Sequence, residues 1–94
     1  MKHEKIEIGD QEADGYVIPL ESCNLVFATK GNSLLACGAI DVAAMDKFNV
    51  PTAKVTGVSS VDDLLNGEIK AVNQAAEARG VTSGMRGRDA LARL

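Results

Sequence analysis

Two apolar runs joined by a turn-forming pair set the first constraint on this chain. Asn24-Leu25-Val26-Phe27-Ala28-Thr29 runs into Lys30-Gly31-Asn32-Ser33, and Leu34-Leu35-Ala36-Cys37-Gly38 follows. A tight two-residue turn needs positive φ, which glycine supplies, so the two runs predict a β-hairpin turning at Gly31-Asn32. Both runs are apolar on both faces, as in central strands covered on at least one side by helices. In this register Lys30 pairs with Ser33, Phe27 with Ala36 and Val26 with Cys37. Cys23 and Cys37 then stand three positions apart along the ladder and on opposite faces, which excludes a disulfide between them, whereas a three-residue loop would shift the pairing by one and set both on the same face, diagonally related.

Further elements follow from periodicity and end signals. Lys5-Ile6-Glu7-Ile8 alternates polar and apolar, the mark of a half-buried strand. Residues Gly9 to Gly15 are expected to form a loop and Tyr16 to Leu20 a second strand, with Pro19 at a sheet edge or bulge. Asp41 is a cap for a short helix, Val42 to Phe48, in which Val42, Met45 and Phe48 share a face. Thr52 to Val58 is a further strand, and the stretch from Gly38 to Thr52 is long enough for a right-handed parallel crossover. Ser60-Val61-Asp62-Asp63 starts what the pattern predicts as the longest helix, running to Ala78. Val61, Leu65, Ile69, Val72 and Ala76 line its apolar face, opposite Asp62, Asn66, Lys70, Asn73 and Glu77. Arg79 and Gly80 end it, and Asp89 to Leu94 forms a last short helix. The expected fold is one α+β domain over residues 1–94. It is a two-layer sandwich with a mainly antiparallel or mixed sheet of about five strands and two to three helices.

Composition narrows the class. Only Tyr16, Phe27 and Phe48 are aromatic among 94 residues, so the core must be aliphatic and small. Subunit burial is a common remedy for so small a core, which points to a homo-oligomer. The net charge of −3 excludes general nucleic-acid binding. No segment approaches the about 20 apolar residues of a membrane span, and the N-terminus does not read as a signal peptide, so a cytoplasmic protein is expected. One histidine and two cysteines provide no zinc set, and neither metal nor cofactor is expected.

Several short pieces together resemble the YunC-like family of small bacterial and archaeal proteins, a domain of unknown function. They are Pro19-Leu20 with Asn24-Leu25, then Cys37-Gly38, Gly57-Val58 before Asp63-Leu64-Leu65, and Gly80-Val81-Thr82-Ser83-Gly84-Met85-Arg86-Gly87 before Ala90-Leu91. The resemblance implies the family's fold and no assigned activity.

Candidate site residues are few. Cys37, beside Gly38 and shortly before a helix, is the one candidate nucleophile, although free cysteine commonly serves as a small buried hydrophobe and His3, the only histidine, is far along the chain. Asn24 opens a central strand, where its amide can hydrogen-bond a ligand or serve a turn. Gly84-Met85-Arg86-Gly87-Arg88 reads either as an anion-binding loop using Arg86 and Arg88 or as a turn that docks the last helix. Lys54 and Thr56 share a strand face, whereas Asp62 and Asp63 belong to a helix first turn and complement its dipole. Three functional readings are compatible with this set. The first is an oligomeric domain binding a small anionic metabolite through Asn24, Cys37, Gly38, Lys54, Thr56, Arg86 and Arg88. The others are a small enzyme reacting through Cys37 and an interaction module with no small-molecule site.

Overall fold

A computed structural model describes residues 1–94. Six strands form one mixed sheet in the order of the chain: β1 (Lys2–Ile8), β2 (Gln11–Pro19), β3 (Asn24–Lys30), β4 (Ser33–Ala36), β5 (Thr52–Lys54) and β6 (Ala71–Val72). All neighbours are antiparallel except β4 and β5. Four helices are added: α1 (Val42–Asp46), α2 (Val61–Asn66), α3 (Gln74–Glu77) and α4 (Gly87–Arg93). No helix is long and apolar enough to cross a membrane.

The β3–β4 hairpin has the register that its turn dictates. Lys30 pairs with Ser33 and Phe27 with Ala36, Gly31 takes φ +58°, and the Cys37 amide donates to the Val26 carbonyl at 3.0 Å. Both thiols are free, Cys23 exposed and Cys37 buried. The parallel crossover from β4 to β5 is also present, with α1 started by the Asp41 carboxylate, which accepts from the amides of Ala43 and Ala44.

Four expectations need correction. The loop over Gly9 to Gly15 is only a turn at Gly9-Asp10, because β2 begins at Gln11 and its residues Gln11 to Val17 pair with the whole of β1. The strand from Thr52 stops at Lys54 rather than Val58. Helix α1 ends at Asp46 rather than Phe48, and it buries none of its residues, with Phe48 71 % exposed beyond its end. The helix expected from Ser60 to Ala78 is two short helices separated by a strand.

That split has a local cause. Gly67 adopts extended backbone (φ −79°, ψ 170°), and a Cβ there would collide with the Val55 side chain. Beyond it the chain turns back to the sheet, where the Lys70 amide donates to Lys54 and the Asn73 amide to Thr52. Asn73, placed by helical spacing on the wet face, is 3 % exposed. Its Oδ1 accepts from the amides of Thr52 and Ala76, and its Nδ2 donates to the carbonyls of Val42 and Val50. All four hydrogen-bonding positions of the amide are filled, joining α1, β5 and α3.

The core lies between one face of the sheet and α2, α3 and α4. Val26, Leu35 and Val55 meet Leu64, Ile69, Ala76 and Leu91 there, and none of its 18 buried apolar residues is aromatic. Tyr16 and Phe27 stand on the opposite face, stacked with His3 across β1, β2 and β3 at centroid separations of 4.8 and 5.0 Å. The C-terminal helix closes the structure. Lys30 Nζ donates to the carbonyls of Leu91 and Ala92 at 2.9 Å, and Arg79 to that of Leu94 at 2.6 Å, so cations meet the negative end of α4.

Candidate functional site

Helix α2 covers β2 and β3 but leaves the first half of β1 uncovered, and a cavity of about 330 Å³ opens there. Its floor is Gly15 and Val17 of β2, its roof the start of α2 at Ser59, Ser60 and Val61. A volume near 300 Å³ is the lower end of what a small-molecule site needs.

Three charged side chains converge on its rim: Lys2 and Glu4 from β1, and Asp62 from α2. They reach it because alternation puts Lys2 and Glu4 on the same strand face as the buried Ile6 and Ile8, beyond the point where helices cover that face. None of the three makes an ion pair or hydrogen bond within the chain, in contrast to Asp63, one residue along. Asp63 accepts from the Ser59 amide and hydroxyl at 3.2 Å, and these bonds, with the backbone donor first, hold its carboxyl below the usual carboxylate range. Asp63 therefore fixes the roof, while Asp62 is free to meet a ligand.

Asn24 borders the cavity and donates Nδ2 to the Ser59 carbonyl at 3.0 Å, tying the start of β3 to the roof. That bond leaves Oδ1 without a partner. His3 also borders the cavity, but its ring turns to the opposite face, where it bonds Asp14 at 2.8 Å.

The remaining sequence candidates lie elsewhere. Cys37 is 6 % exposed inside the apolar core, and its thiol makes no hydrogen bond. Gly38 faces Thr56, whose methyl would be 3.4 Å from a Cβ at that position. Lys54 is half-buried in β5 on the face away from the core, and Thr56 is exposed beyond the end of that strand. Arg86 and Arg88 are exposed and unpaired, but the backbone of the loop that carries them is bonded to residues 67–69. The Ile69 amide donates to Met85, the Gly84 amide to Ile69 and the Gly87 amide to Gly67, so that Glu68 and Arg86 form an isolated antiparallel backbone bridge. Asn24 is thus the single sequence candidate at the cavity. Sequence reasoning misses Lys2, Glu4 and Asp62, although extending the alternation of β1 toward the N-terminus puts Lys2 and Glu4 on the helix-facing side.

Comparison with known proteins agrees with the fold. The family model DUF1805, a domain of unknown function, matches residues 36–94, a span that includes the cavity's roof but not β1, β2 or Asn24. The chain is 29 % identical over 93 residues to the uncharacterized protein YunC of Bacillus subtilis (strain 168), covering 95 % of this chain and 92 % of that one. It also superposes on the crystal structure of TA1206, a protein of unknown function from Thermoplasma acidophilum. The TM-score is 0.92 at 24 % identity, over 99 % of this chain and 91 % of the other.

Proposed function

The chain belongs to the DUF1805 family of unknown function, and from that premise we propose that it is a small self-associating domain that binds a small polar acid in the cavity beside α2. One observation carries this reading: Lys2, Glu4 and Asp62 converge on a single cavity with no partner of their own. The mixed signs specify the ligand. Lys2 suits a carboxylate or phosphate, while Glu4, Asp62 and the free Oδ1 of Asn24 accept from hydroxyl or amino groups, so the ligand carries both. Self-association is supported by the wholly aliphatic core. A cytoplasmic setting is supported by the two free thiols.

Reaction through Cys37 is the weaker reading, because the thiol is enclosed by apolar side chains and has no bonded base. The Arg86/Arg88 loop supplies the control for the ligand experiment. Thermal unfolding is followed across a panel of hydroxy acids, amino acids and phosphorylated polyols, where a ligand at 100 times its Kd stabilises by about 2.7 kcal/mol. The stabilisation should vanish in Lys2→Gln and survive in Arg86→Gln/Arg88→Gln. A panel with no stabilising member, or the reverse pattern of loss, sinks the cavity assignment.

A further inference from the structure

β1 is an edge of the sheet: it pairs with β2 on one side and with nothing on the other. The opposite edge strand, β6, is only two residues long. No helix, proline or bulge blunts β1, whose seven residues pair in unbroken register with β2. An edge left in this state accepts another strand, and its side chains decide which.

We propose that the self-association included in the functional reading occurs through β1, with two copies pairing antiparallel about a two-fold axis at Ile6. Opposed residues in an antiparallel pair share a face, so a symmetric pairing has one residue on the axis. Centring on Glu4, Lys5 or Glu7 opposes like charges on the axis itself. Centring on His3 pairs Lys2 with the partner's Glu4 but leaves Ile6 and Ile8 outside the ladder. Centring on Ile6 opposes Ile6 to the partner's Ile6 and Lys5 to the partner's Glu7, the latter twice. On the core face Glu4 stands opposite the partner's Ile8, also twice. This register alone sets Ile6 against its own copy on the core face while matching opposite charges on the other, and the lysines that deter indiscriminate edge pairing then select it.

The test is sedimentation velocity from micromolar to several hundred micromolar protein. The wild type is expected to dimerise, Glu7→Lys and Lys5→Glu each to weaken the dimer at least tenfold, and the double exchange Lys5→Glu/Glu7→Lys to restore it. Because Lys5 also bonds Asp14, hydrogen exchange on the wild type supplies a variant-free check: the outward amides of β1 must gain protection as concentration rises. A protein monomeric throughout the range overturns both self-association and this interface. A dimer that ignores the single exchanges, or a double exchange that fails to restore it, overturns the interface alone.

Discussion

The β3–β4 hairpin and the stretch from α2 to the start of α4 differ in where their backbone hydrogen bonds go. In the hairpin, residues three to eleven positions apart bond to one another across Gly31-Asn32, with β2 and β5 on its outer sides. In the other region the partners are remote: Gly67 accepts from Gly87, Ile69 donates to Met85, Lys70 donates to Lys54 and Asn73 to Thr52. A segment bonded within itself keeps its shape because the local chain favours it. A segment bonded to distant backbone keeps its shape only while those partners stay within close approach, so small added volume should damage the second far more than the first.

Alanine at two glycines tests this most severely. A Cβ at Gly87 would collide with the Leu64 carbonyl, where α4 begins against α2, whereas one at Gly31 meets nothing within 4 Å. Gly87→Ala should cost about 4 kcal/mol, as an extreme case of overpacking against backbone. Gly31→Ala should cost about 1–2 kcal/mol, from positive φ alone. Urea unfolding of both variants checks this, and equal losses would erase the distinction between the regions.

Two asparagines sharpen it at smaller scale. Asn73→Ala removes a helix cap and orphans buried backbone groups in α1, β5 and α3, for about 3 kcal/mol. Asn73→Asp should be no milder, since a carboxylate cannot donate to the carbonyls of Val42 and Val50. Asn32→Ala, which removes one exposed bond to the Asn49 carbonyl, should cost less than about 1 kcal/mol. Calorimetry of the three variants gives the ranking.

The smallest effect belongs to the exposed β1–β2 surface. Bonds from Lys5 first and His3 second hold the Asp14 carboxyl below the ordinary aspartate value of 3.8. A depressed carboxyl pKa means that the unfolded chain binds the proton more readily. The contribution to stability is therefore present above the unfolded value and is lost as pH falls through the folded one. An NMR titration should show the Asp14 midpoint below 3.8 and rising in Lys5→Met. A midpoint unmoved by that substitution would mean the pair is not formed in solution.

Period-two alternation at Ile6 and Ile8, the Gly31-Asn32 turn and its register, the Asp41 cap and the last short helix were all legible in the sequence. Each is decided by residues a few positions apart. The helical spacing from Val61 to Ala76 was equally regular, and its apolar residues are indeed half-buried or buried, yet the backbone between them is not one helix. Helical propensity over such a stretch is worth less than the packing of Gly67 on Val55 and the four hydrogen bonds of Asn73, most of whose partners are distant in sequence. The cavity was illegible for the same reason. Lys2, Glu4, Asn24 and Asp62 become neighbours only when α2 folds back over β2 and β3, so their residue types stood in the sequence while their convergence belongs to the tertiary structure.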